Sequence, residues 1–119
     1  MDDHGALCSL QSRDDVAFVR ISGDIYLDNH EEFDAFLSEN VSPRFSKVVL
    51  DATHVKTICS AALGAIVKAH KRAREAGGEV VFVNVQRKVQ TLLEITRLAS
   101  VLKLLDTDQA ALDYLSSLP

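Results

Sequence analysis

The chain has 119 residues, 47% hydrophobic and 25% charged, with a formal net charge of −4. That suits one domain over residues 1–119 with a core that needs no metal or disulfide staple, and it is too apolar for a disordered chain. The acidic balance argues against direct nucleic-acid binding, which needs lysines and arginines on phosphates, and no run of about 18 to 20 apolar residues is present to insert in a membrane.

In chain order, Ala6 to Gln11 is a short, moderately apolar segment, and Ser12-Arg13-Asp14-Asp15 supplies turn residues. Val16 to Ile21 is rich in the β-branched and aromatic side chains that suit a pleated surface, so the two runs predict a hairpin that Gly23 ends. From Asn29 the period changes. Asp28 or Asn29 can cap a helix whose Phe33, Phe36, Leu37 and Asn40 share one face, and Pro43 stops it. Lys47 to Ala52 reads as a compact strand and Val55 to Cys59 as a short loop.

Ser60 opens a second helix. Its inward stripe is Leu63, Ile66, Val67 and His70, its solvated face Lys68, Lys71, Arg72 and Glu75, and Gly77 supplies a left-handed end. Glu79 to Val83 is a nearly pure β-branched strand. Gln86 to Leu98 is a third helix with Val89, Leu92, Leu93 and Thr96 inward. Val101 to Leu104 is a short strand, and Asp108 to Leu118 a last helix capped by Asp106 or Asp108. The order β-β-α-β-α-β-α-β-α predicts an α/β fold with a mixed sheet of about five strands and about four helices.

Cys8 and Cys59 form no CxxC pair and have no histidine at zinc spacing, which reads as a reduced, cytoplasmic protein. Met1-Asp2-Asp3-His4 has no basic stretch and no apolar run behind it, so no signal peptide is expected. Nucleotide-binding glycine motifs, GxSxG and HExxH are missing. The histidines His4, His30, His54 and His70 are scattered, and His70 reads as a packed side chain. No metal, cofactor or catalytic group is implied.

Two positions carry chemistry. Asp51, at a strand end, either acts at a ligand site or binds the amides of the loop that follows, and the second reading is preferred. Ser60, opening a helix of small residues, is an N-cap, a phosphorylation site, or both, because a phosphate there meets the positive end of the helix dipole.

From about Cys8 to Leu118 the chain resembles the STAS family, in particular bacterial anti-sigma-factor antagonists. Ile21-Ser22-Gly23-Asp24-Ile25 is similar to that family's strand ending in Gly-Glu-Leu-Asp, and Val48-Val49-Leu50-Asp51 to its third strand. Ile58-Cys59-Ser60-Ala61-Ala62-Leu63-Gly64 is similar to its Met-Asp-Ser-Ser-Gly-Leu-Gly motif, and Ala76 to Val83 to the helix end and strand that follow. The resemblance implies a non-enzymatic switch. Unmodified, it binds an anti-sigma factor that is also an ATP-dependent serine kinase. Phosphorylated on Ser60 it lets go, and a serine phosphatase resets it.

The partner-binding residues implied are Gly23, Asp24, Tyr26, Leu27, Asp51, Ile58, Cys59, Ser60, Ala61 and Leu63, with Tyr26, Leu27, Ile58 and Leu63 as the apolar part of the docking face. The motif departs from the family where Cys59 stands for Asp, Ala61 for the second Ser or Thr, Ala62 for the first Gly and Tyr26 for the Asp after Gly-Glu-Leu. These departures support a rival reading, a non-switching STAS scaffold or adaptor in a stressosome-like or transporter complex. A phospho-receiver domain with Asp51 as acceptor and Lys103 as its lysine is a further rival. It needs an acidic pair at the end of the first strand, whereas Asp14-Asp15 precede the strand Val16 to Ile21.

Overall fold

A computed structural model describes residues 6–119. His4 and the leader reading of Met1 to His4 lie outside the described residues. Strands β1 (Cys8–Arg13) and β2 (Val16–Ile21) form the expected hairpin, pairing antiparallel from Cys8 opposite Ile21 to Arg13 opposite Val16. The turn is only Asp14-Asp15, with Asp14 at φ 58°, a conformation Asp tolerates better than most residues. Helix α1 (His30–Asn40) leads to β3 (Lys47–Asp51), α2 (Ser60–Glu75) to β4 (Glu79–Val83), α3 (Arg87–Ile95) and a 3-10 turn at Leu98–Ser100 to β5 (Lys103–Leu105), and α4 (Asp108–Ser116) ends the order. The sheet runs β1-β2-β3-β4-β5, with every pairing after the hairpin parallel, as the alternation predicts.

Alternation along each strand divides the apolar side chains between two faces. Val19, Ile21, Val48, Leu50, Val80 and Phe82 join Phe33 and Leu37 of α1, Ile66 of α2, and Val89 and Leu93 of α3 in the larger core. Val16, Val49, Val81 and Val83 meet Ala111 and Leu115 of α4 in the smaller one. On that second face, where α4 packs against β3, β4 and β5, the Arg13 guanidinium lies 4.6 Å over the Phe18 ring.

Helix α2 is buried through small residues. Ala62, Ala65, Ala69 and Ala73 sit in the core with Leu63, Ile66 and His70, which brings the helix close to the sheet, whereas Val67, expected inside, is only half-buried. His70 is packed as expected, its Nδ1 3.3–3.4 Å from the backbone of Val80. Arg72 departs from the expected solvated face: its guanidinium donates to the carbonyls of Leu37 and Val41, satisfying the C-terminal end of α1. Gly77 is left-handed at φ 89°, as expected.

Other boundaries shift. β1 lies two residues later than Ala6 to Gln11, and β5 is Lys103–Leu105 rather than Val101 to Leu104. α3 stops at Ile95 because Arg97 takes a left-handed conformation at φ 64°. Thr96 therefore lies beyond the helix, exposed, with its hydroxyl on the carbonyls of Leu92 and Leu93. The cap of α4 is Thr107, whose hydroxyl accepts from the Ala110 amide, and neither Asp106 nor Asp108.

Candidate functional site

Parallel strands deliver their C-terminal ends to one edge of the sheet, and the loops after β2 and β3 meet there. Ile25 and Ile58 form a parallel bridge. The Ile25 amide donates to the Thr57 carbonyl at 3.1 Å, and the Cys59 amide to the Ile25 carbonyl at 2.9 Å. Asp24 closes the junction. Its Oδ1 accepts from the Lys56 amide at 2.6 Å and the Thr57 amide at 3.2 Å, and its Oδ2 from the Tyr26 hydroxyl at 3.1 Å. The Lys56 amide first, then the Thr57 amide and the Tyr26 hydroxyl, hold the Asp24 carboxyl below the ordinary carboxylate range, outweighing the opposing effect of partial burial.

Asn29, one of the two expected caps of α1, sits at the N-cap position but makes no side-chain cap. Its side chain instead accepts from the Tyr26 amide at 2.8 Å and donates to the Asp24 carbonyl at 3.1 Å. The segment from Gly23 to Asn29 is thus a compact turn fastened to the loop that precedes α2.

The fastened loop ends at Cys59, which occupies the N-cap position with extended backbone, so Ser60 is the first residue inside the helix. This corrects the expectation that Ser60 caps α2. Its hydroxyl makes no hydrogen bond to the described residues and it is exposed, as is Ala61. The amides of a helix's first turn have no partner within the helix, and no acidic side chain in the first turn of α2 offsets the positive end of its dipole. An exposed hydroxyl therefore stands where added negative charge is tolerated by the helix itself.

Around it the expected site residues separate into three groups. Tyr26 and Leu27 are exposed at 52% and 73%, large apolar side chains beside the fastened loop. Ile58 and Leu63 are 4% and 5% exposed and belong to the core, so the expectation that they form the apolar docking face is corrected. Ile58 is held by the bridge to Ile25, and Leu63 falls on the inward stripe of α2. Gly23, Asp24 and Cys59 are half-buried between these layers.

Asp51 serves a different branch of the same edge. Its Oδ1 accepts from the amide and hydroxyl of Thr53 and, at 3.4 Å, from Asn84, while Arg20 lies 3.9 Å from Oδ2. Burial pushes this carboxyl up, and the Thr53, Asn84 and Arg20 contacts outweigh it, leaving it below the ordinary range. Asp51 thus binds its loop, as preferred. The receiver reading does not survive: Asp14 and Asp15 lie in the hairpin turn at the N-terminal end of the parallel strands, away from Asp51 at the C-terminal end of β3, and Lys103, opposite Val81 in mid-sheet, holds its ammonium 5.3 Å over the Tyr114 ring. Burial, aided by Glu32, pushes the Cys8 thiol up to about 12. No group of three metal-ligating side chains gathers among the described residues.

Sequence reasoning missed the ground on the other side of the loop. Lys56 and Thr57 face Lys88, Val89, Thr91, Leu92 and Ile95 of α3 across a groove of about 260 Å³. The spacing 88, 91, 92, 95 is a second helical stripe that would have revealed it.

Residues 8–111 match the STAS domain, and the chain belongs to that family. It is 28% identical over 101 residues to a candidate anti-sigma factor antagonist of Thermotoga maritima, spanning 84% of this chain and 89% of the relative. A crystal structure of a candidate anti-sigma factor antagonist from Thermotoga maritima matches with a TM-score of 0.86 at 24% identity, covering 97% of this chain and 99% of that one. The anti-sigma factor antagonist SpoIIAA in its unphosphorylated form matches at 0.79 and 14% identity, over 94% and 98%. SpoIIAA of Bacillus in its phosphorylated form matches at 0.70 and 14%, over 90% and 97%. Among the described residues no helix is long and apolar enough to cross a membrane.

Proposed function

We propose that this protein is an anti-sigma factor antagonist switched at Ser60. Unmodified, it binds a kinase-type anti-sigma factor through the surface around Ser60, Ala61, Tyr26 and Leu27, and so releases the sigma factor. The Ser60 hydroxyl oxygen then attacks the γ-phosphorus of ATP held by that partner. An O–P bond forms, the bond to the β-phosphate oxygen breaks, ADP leaves, and the hydroxyl proton passes to a base of the kinase or to solvent. A serine phosphatase returns the hydroxyl by hydrolysis. The protein itself catalyses nothing.

The observation that carries this reading is exposed Ser60, its hydroxyl without a hydrogen-bond partner among the described residues, at the first position of α2 and beside a loop fastened by Asp24. A phosphoserine brings a charge of about −1.5 to −2 and three acceptor oxygens. At a helix N-terminus this does not unfold the domain. At the centre of a docked surface it must be desolvated, and each 1.4 kcal/mol or so of that cost is about tenfold in affinity. The relative solved in both phosphorylation states supports a fold that keeps its form with and without the group.

The test is to incubate the protein with kinase-type anti-sigma factors and ATP and map the modified residue by mass spectrometry, then compare affinities by calorimetry. Phosphate on Ser60, and at least about tenfold weaker binding by Ser60→Asp, are expected. Equal affinity of wild type and Ser60→Asp would overturn the switch. Cys59, Ala61 and Ala62 favour the second reading, a non-switching scaffold, whose signature is binding with no phosphate on Ser60 in cells.

A further inference from the structure

The buried side of α3 holds Val89 and Leu93, and a second face of the same helix carries Lys88, Thr91, Leu92 and Ile95. These four stand at i, i+3, i+4 and i+7, so they form one continuous strip. Ile95 is 74% exposed, Leu92 is half-buried, and the strip forms one wall of the groove whose other wall is Lys56 and Thr57. A single exposed isoleucine is ordinary, but Ile95 adjoins half-buried Leu92 in the same groove lining, which makes the two one apolar patch.

The second wall ties this groove to Ser60. Lys56 and Thr57 are the residues whose amides Asp24 holds, and the same loop continues through the Ile25–Ile58 bridge into α2. The groove and the serine are therefore two sides of one fastened loop, and a partner covering the loop reaches both. The charge is also specific. The chain as a whole is acidic at −4, yet the groove places Lys56 on one wall and Lys88 on the other, with no carboxylate in its lining.

We infer that the groove between the Lys56–Thr57 loop and α3 is a second docking site for the anti-sigma factor, taking a segment with one or two apolar side chains flanked by acidic residues. The apolar side chain covers Leu92 and Ile95, and the carboxylates answer Lys56 and Lys88. This rests on the anti-sigma reading of Ser60 and gives the partner a chemical character. It also divides the work: Ser60 decides whether the complex forms, and the groove supplies affinity that does not depend on the serine's chemistry.

The experiment measures binding of the anti-sigma factor that phosphorylates Ser60 to wild type, Ile95→Glu, Lys88→Glu, Ser60→Asp and the control Gln11→Glu, an exposed β1 residue at the far edge of the sheet. Circular dichroism and melting confirm that each variant is folded. Ile95→Glu is expected to weaken binding about tenfold or more and Lys88→Glu about threefold to tenfold, the latter also reducing the salt dependence, with Gln11→Glu unchanged. Wild-type affinity in both groove variants, with Ser60→Asp weakened, overturns the groove and leaves the switch standing. Weakening by Ile95→Glu with no effect of Ser60→Asp supports the groove and removes the switch. Two results assign another occupant and overturn the proposal. One is a wild-type dimer that Ile95→Glu dissolves; the other is wild-type binding to phosphatidylserine-containing vesicles that Ile95→Glu abolishes.

Discussion

Where the chain enters the parallel strands, space is filled and polar groups are paired within the molecule; where it leaves them, hydroxyl and apolar groups stand exposed. At the entering end Glu79 is 4% exposed, receives the Tyr114 hydroxyl at 2.9–3.0 Å and lies 3.5 Å from Arg74, and Lys47 pairs with Asp15 at 3.3 Å. At the leaving end the carboxylates of Asp24 and Asp51 bind backbone amides, while Ser60, Tyr26, Leu27 and Ile95 face outward. Both ends use carboxylates, but to different purpose. The first fixes where strands and α4 sit, and the second fixes the loops that lead to the exposed Ser60.

The largest effect expected from disturbing this division is at Gly78. The Glu79 amide donates to the Ser46 carbonyl at 2.8 Å, which draws the chain so close that a Cβ on Gly78 would fall on that carbonyl group. Relief requires the backbone of β3 and β4 to part. Gly78→Ala is expected to cost about 3 kcal/mol, read as a lower urea midpoint at unchanged slope. Ser60, at the other end, should be phosphorylated at the wild-type rate in the molecules that remain folded.

Tyr114→Phe comes next. It removes the hydroxyl from a buried carboxylate and leaves Glu79 with Arg74, which is itself mostly exposed. The cost expected is about 2 kcal/mol, with α4 the first element to lose amide protection in hydrogen exchange. Burial first, and then the bond to Glu79 and its charge, raise the Tyr114 pKa. The folded state therefore keeps the proton longer than the unfolded state. This contribution is complete below the unfolded value of about 10 and is lost as pH rises through the folded one. Wild type should accordingly lose stability above about pH 10 more steeply than Tyr114→Phe.

How much of this the amino-acid order reveals depends on the range of the interaction. The hairpin, the left-handed Gly77 and the β-branched run of β4 are local, and they read correctly. The caps of α2 and α4 are each displaced by one residue: Cys59 takes the α2 position through its extended backbone with no side-chain bond, and Thr107 takes the α4 position with its hydroxyl on the Ala110 amide. The end of α3 is hidden because its breaker is Arg97, a residue with no composition signal for a left-handed turn. Burial of Ile58 and the Glu79–Tyr114 contact depend on partners 33 and 35 residues away. Resemblance could point to Asp24 as important, but not to what it does.

The smallest effect on stability, and the one that bears most on the open end, is expected at Asp24. Its carboxylate is matched to two amides 32 and 33 residues further along, and Asp24→Ala returns both to water. The site is partly solvated, so the loss expected is only about 1 kcal/mol. The lowered pKa sets the window. The stabilisation is present above the unfolded value of about 3.9 and is lost as pH falls through the folded one, so the difference between variant and wild type should shrink below about pH 4. The functional loss should be larger than the structural one. A loop loosened ahead of Ser60 presents its hydroxyl in many orientations, and displacement of a reacting group by about 1 Å can cost up to about a hundredfold in rate. Phosphorylation of Asp24→Ala by the anti-sigma kinase is therefore expected to slow about tenfold at pH 7, where the variant remains folded. A wild-type rate would mean that the Ile25–Ile58 bridge alone holds the serine in place, and that the Asp24 carboxylate stabilises the open end without shaping it.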